Sequence, residues 1–69
     1  MSDSVYKVIE LVGSSTESWE DAAKVAIMKA SKSLRDLRIA EVLAQDIHLK
    51  DGTIEFYRTK LKLSFKYEA

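Results

Sequence analysis

The segment Ser18–Leu34 constrains this chain more than any other, because it alone repeats its apolar residues with a helical period. Trp19, Ala22, Ala23, Ala26, Ile27, Ala30 and Leu34 recur at three- and four-residue steps, which puts them on one face of an α-helix. Its start is marked chemically. The Ser18 hydroxyl is placed to cap, Asp21 stands three residues on, and Glu20 and Asp21 lie at the positive end of the helix dipole. Lys24, Lys29 and Lys32 follow, with Glu20 four residues before Lys24, the favourable order for an ion pair. A stripe built mostly of alanine admits close approach, so a flat partner should lie against it.

The rest of the chain reads as strand. Val5–Val12 is rich in β-branched and aromatic residues and meets Gly13, where the strand is expected to stop. Val5, Ile9 and Leu11 fall on one face and Tyr6, Val8 and Val12 on the other, a pattern for burial on both sides. Residues 13–18 are turn chemistry, and Arg35-Asp36 begin the exit from the helix.

Residues 38–49 and 53–67 are two further strands, joined through Asp51-Gly52. An Asp-Gly pair suits the positive φ angles of a type I′ hairpin turn. Lys50 then opposes Thr53. An uninterrupted ladder sets Leu49 against Ile54, His48 against Glu55, Asp46 against Tyr57, Gln45 against Arg58, Ala44 against Thr59, Val42 against Leu61 and Ala40 against Leu63. Ala40, Val42, Ala44, Leu61, Leu63 and Phe65 would then receive the alanine stripe. Beyond about residue 46 the apolar face changes sides, to Ile47, Leu49, Ile54 and Phe56. A hairpin of this kind is expected to outgrow its own helix and pack on a neighbouring subunit. Met28, opposite the stripe, points the same way.

The expected fold is therefore α+β, in the order β-α-β-β. A three-stranded antiparallel sheet, its last strand central, wraps on a single helix, and residues 1–69 form a single domain. A chain of 69 residues without cysteine has no disulfide or thiolate metal site to hold it together. With 46% of its residues hydrophobic, oligomerisation is the natural expectation. Lys plus Arg and Asp plus Glu balance at 11 each, which argues against a nucleic-acid partner. No apolar run approaches the roughly 20 residues of a membrane span, and no basic stretch followed by an apolar core marks a leader. A soluble cytoplasmic protein with no membrane partner is expected.

No nucleophile–base pair, glycine-rich phosphate loop or acid–base carboxylate pair is defensible, so the chain does not read as an enzyme. Asp46, His48 and Glu55 come together on the uninterrupted register. Two carboxylates and an imidazole suit a divalent cation, calcium through the oxygens, or simply make a polar hairpin tip. Arg58, Lys60 and Lys62 share one face of the last strand. They form either a solvated face balanced by Glu41 or an anion site, for which arginine supplies a planar fork. Trp19 is placed as a packing anchor.

Four motifs together, Val5-Tyr-Lys-Val-Ile-Glu-Leu-Val-Gly13, Ser18-Trp-Glu-Asp-Ala-Ala23, Leu37-Arg-Ile-Ala-Glu-Val42 and Leu61-Lys-Leu-Ser-Phe65, resemble the dodecins. The resemblance covers nearly the whole chain. It implies a βαββ fold, a hollow homododecamer, and binding or storage of a flavin such as FMN or riboflavin. It also implies that Ile39, Gln45 and Arg58 line the flavin pocket. In that family a tryptophan in the second strand stacks on the flavin ring, and Ile39 stands in its place here. A glutamine follows a tyrosine in the last strand, and the pair here is Tyr57-Arg58. Isoleucine keeps apolar area without a π-face, and arginine donates where glutamine both donates and accepts. The expectation is a dodecin-like shell that sequesters a small ligand, with the flavin sandwich lost or strongly altered. The alternative is a non-flavin assembly that binds calcium or another divalent cation through carboxylates.

Overall fold

A computed structural model of the chain describes residues 3–67. The elements are β1 (Tyr6–Ser15), α1 (Trp19–Ala30), β2 (Leu37–Lys50) and β3 (Thr53–Lys66). β3 lies between β1 and β2 and pairs antiparallel with both. The α+β, β-α-β-β expectation is met.

α1 begins as its sequence dictates. Ser18 is extended at φ −170°, and its Oγ accepts the Asp21 backbone N–H at 3.0 Å. Ser15 Oγ donates to Asp21 Oδ2 at 2.7 Å, tying the end of β1 to the first helical turn. The far end is shorter than the periodicity suggests. After Ala30 the backbone tightens, with Lys32 N–H bonded to the Lys29 carbonyl and Ser33 N–H to that of Ala30. Ser31 Oγ also donates back to the Met28 carbonyl at 2.8 Å, the competition for backbone groups that makes serine a poor helix continuer. Asp36, at φ 58°, then turns the chain into β2 without a glycine.

Gly13 does not end β1, which runs on to Ser15. It marks the place where strand and helix come closest. A Cβ there would press into the Ala22 carbonyl oxygen and lie 3.0 Å from Ala26 Cβ. The alanine stripe thus seats against β1 and the central strand. The buried apolar residues are Ala22, Ala26, Ala30, Leu61 and Leu63, and Ile9, Leu11, Ile27 and Leu37 pack around them.

The hairpin carries the main correction. Asp51 and Gly52 have φ 53° and 77°, and Lys50 opposes Thr53, as the Asp-Gly turn requires. The uninterrupted ladder fails between the tip and the base. Glu55 is an extra residue on β3, so His48 opposes Phe56, Asp46 opposes Arg58, Gln45 opposes Thr59 and Ala44 opposes Lys60. Leu43 is an extra residue on β2, which restores Val42 opposite Leu61 and Ala40 opposite Leu63. Each bulge shifts the alternation by one residue. As a result Ile47, Leu49 and Ile54 stay on the helix side with Val42 and Leu61, and the expected change of sides does not occur. Ala44 moves to the outer face with Lys60 and takes no part in receiving the alanine stripe.

β2 touches only β3 extensively, and α1 lies over β1 and β3. The 12-residue helix spans about 18 Å, whereas the chain extends 55 Å along its long axis. Leu49 (60% exposed) and Ile54 (53%) therefore overhang the helix uncovered. The accessible surface is 5391 Å², against about 4,400 Å² for a compact monomer of this mass.

The close seating at Gly13 yields a direct test. Gly13→Ala forces the helix off the sheet, and overpacking of this kind costs about 1–3 kcal/mol. Its urea midpoint should fall accordingly. An unchanged midpoint would mean that the close approach does not hold α1 in place.

Candidate functional site

The face turned away from α1 carries the charged side chains of the sheet. On β3 these are Arg58, Lys60, Lys62 and, beyond Ser64, Lys66, all on alternate positions of one face. Two of them face a carboxylate on a flanking strand. Asp46 lies opposite Arg58, and Glu41 and Glu10 both lie opposite Lys62. Lys60 Nζ reaches Glu10 Oε1 at 3.5 Å. Between Arg58 and Lys62 the basic stripe is thus flanked by carboxylates on both edges.

The strongest of these pairs is a two-pronged clamp. Arg58 Nε and Nη2 donate to Asp46 Oδ1 and Oδ2, both at 2.7 Å, the fork geometry that arginine favours with carboxylates. These hydrogen bonds hold the Asp46 carboxyl below its ordinary range and push Arg58 above its own. The clamp forms because the Glu55 bulge sets Asp46 opposite Arg58. On an unbroken ladder that position would be Tyr57.

The tip of the hairpin carries a second pair. His48 Nδ1 lies 2.9 Å from Glu55 Oε1, and its ring stacks on Phe56 with centroids 4.7 Å apart. Asp46 does not join it in a metal site: among the described residues no group of three or more His, Asp or Glu side chains is placed to hold a cation. On the helix side Trp19 is a packing anchor, as expected. Its ring meets Tyr57 edge-on at 5.1 Å, and Nε1 donates to the Asp46 carbonyl at 3.0 Å. Thr59, fully buried, donates to the Trp19 carbonyl at 2.8 Å.

Ile39 is 66% exposed on the outer face, opposite Ser64. Arg58 shares that face but lies six residues along β3, about 20 Å away. Gln45 pairs with Thr59 and so falls on the helix side. One protomer does not bring these three together.

Residues 5–68 match the sequence model of the dodecin family. The chain belongs to the dodecin family. The calcium dodecin of Mycobacterium tuberculosis is 46% identical over 63 residues, covering 91% of this chain and 89% of that one. Its solved structure, that of a calcium-chelating antigen with a calcium-binding site, superposes with a TM-score of 0.85 at 47% identity, over 94% and 93% of the two chains. The dodecin of Thermus thermophilus is 36% identical over 64 residues, 93% of each chain. The solved dodecin of Streptomyces coelicolor gives a TM-score of 0.93 at 35% identity, over 100% of this chain and 99% of that one.

Ile39 carries no aromatic ring, and two of the Arg58 donors are committed to Asp46. The clamp itself is missed by an unbroken reading of the hairpin. Its signal lay in the sequence, where the apolar alternation slips by one residue on both facing strands, near 43 and near 55. Two slips on opposite strands cancel, whereas a single slip would invert the face.

The clamp makes a pH-dependent contribution of known sign. The folded pKa of Asp46 is depressed, so its stabilisation is complete above the unfolded carboxylate value of about 4. It is lost as pH falls through the lower folded value. The wild-type urea midpoint should drop more steeply with acid than that of Asp46→Asn. Equal slopes would remove the pair from the stability of the hairpin.

Proposed function

We propose that this dodecin assembles into a cytoplasmic homododecamer that sequesters a divalent cation, calcium foremost, and that it does not hold the flavin sandwich of its family. The reading rests on the outer face of the sheet. Ile39 stands there without an aromatic ring, and Arg58 is clamped by Asp46. Similarity over 91% of the chain to a calcium dodecin supports the choice of cation. Binding, without catalysis, is the role that follows.

Assembly is favoured by the apolar surface a lone protomer leaves open. Val42, Leu49 and Ile54 lie on the helix side of the hairpin, and Met28 on the helix back. A groove of about 540 Å³ between β1 and α1, floored by Ile9, Leu11, Val25 and Leu34, adds to them. Second copies of the chain would cover these surfaces.

Calcium takes six to eight oxygen ligands, more than the described residues of one protomer gather in any place. The cation is therefore assigned to carboxylates that converge from neighbouring copies. Asp46 and Glu55, with His48 beside them, are the candidates. Asp46 enters such a site by exchanging Arg58 for the cation. The small-molecule alternative, FMN or riboflavin around Ile39, Gln45 and Arg58, is the competing arm of the test.

Calorimetric titration of chelator-treated protein with calcium should give saturable binding, weakened by Asp46→Ala and by Glu55→Gln. Arg58→Ala should tighten it several-fold, because Asp46 loses its competing cation. No calcium binding by an assembled protein would overturn the reading. Riboflavin and FMN fluorescence should stay unchanged at micromolar protein, and quenching would restore the flavin arm. The double substitution Ile39→Trp, Arg58→Gln should introduce quenching if those two contacts alone are missing.

A further inference from the structure

Two apolar surfaces of the protomer lie far apart and have different shapes. One is the tip of the hairpin on the helix side, where Leu49 opposes Ile54 and both are more than half exposed. Ile47 continues that row toward the base of the hairpin. The other is the groove of about 540 Å³ in which Ile9 and Leu11 of β1 face Val25 and Leu34, with Lys29 at its margin. The tip projects and the groove recedes.

A tip cannot enter the groove of its own chain. Ala30, next to Lys29, clusters with Leu61 and Leu63, and Leu61 stands eight residues along β3 from Thr53 at the turn. At about 3.4 Å per residue the turn is more than roughly 25 Å from that part of the groove. Between copies, however, the two surfaces match. The groove follows α1 from Val25 past Lys29 toward Leu34, roughly 13 Å at the helical rise. The row from Ile47 to Leu49 takes up about 7 Å of strand, so the tip fits lengthwise with its turn beyond. Charge agrees with shape. Asp51 in the turn and Lys29 at the groove are both exposed, and neither makes an ion pair among the described residues.

We propose that the hairpin tip of one copy seats Leu49 and Ile54 in the α1–β1 groove of the next, with Asp51 against Lys29. The inference rests on the assembly proposed above and names a contact that holds it. Because a tip meets a groove and not another tip, the contact is heterologous, and its repetition closes a ring. Each copy then gives one tip and receives one. The overhang of the hairpin and the open flank of the helix are covered by the same event.

The chain contains no cysteine, so disulfide cross-linking tests the contact on an otherwise thiol-free protein. Val25→Cys combined with Leu49→Cys, oxidised after assembly, should give linked species larger than a dimer on non-reducing gels. Neither substitution alone should link. The two single variants, dissociated and reassembled together, should link as dimers and go no further. Leu49→Ala should raise the subunit dissociation constant at least about tenfold, the ratio expected for loss of a buried aliphatic side chain. Should the double variant fail to fold, Lys29→Cys with Ile54→Cys, both at exposed positions, is read for the same ladder. Light scattering on the unsubstituted protein separates the two levels of failure. A protein that stays monomeric removes the contact together with the assembly it rests on. Normal assembled size without linkage in either double variant overturns the contact alone. Linkage by Val25→Cys or Leu49→Cys alone overturns it too, by setting like surface against like.

Discussion

The contact between the alanine face of α1 and the Gly13 backbone sets the terms for the rest of this structure. Small side chains let the helix sit almost on the sheet, with Ala22 and Ala26 against Gly13. The same smallness limits what is buried. Three of the five buried apolar residues are alanines, and each contributes little transfer free energy. A helix this narrow also cannot shelter three strands, and it leaves β2 outside. Close packing and an open apolar surface are two results of one choice of residue.

Electrostatics on the other side of the sheet follow a similar economy. Arg58, Lys60 and Lys62 would repel one another on a bare strand. Carboxylates from the two neighbouring strands neutralise them, and the Asp46–Arg58 clamp is the tightest of these arrangements. Exposed pairs contribute little stability. Their consequence here is to occupy the groups that could otherwise recognise a ligand.

Most of the fold was legible in the residues. The Ser18 cap, the alanine stripe, the Asp51-Gly52 turn and the central placement of the last strand all rest on local chemistry that acts at short range. What was not legible depends on distance in space. Gly13 looks like a strand terminator until the helix backbone is set against it. The pairing of Asp46 with Arg58 requires the Glu55 bulge, and a bulge is invisible to simple alternation. The expected grouping of Asp46, His48 and Glu55 divides between two pairs. The imidazole and Glu55 do meet, but Asp46 has a stronger partner. Ile39, Gln45 and Arg58 were brought together by resemblance, whereas one protomer spreads them over two faces.

Two of the three register shifts in the hairpin trade one residue against another, and the third, between Leu37 and Ile39, lies at its base. Leu43 is surplus on β2 and Glu55 on β3, so the strands between the turn and the base remain equal in length. Loss of either residue alone would put the segment between them out of step with one flank. Loss of both would leave every remaining side chain on its present face. Chain length in this hairpin is therefore constrained as a difference between its two arms, and insertions or deletions should be tolerated as matched pairs more readily than singly.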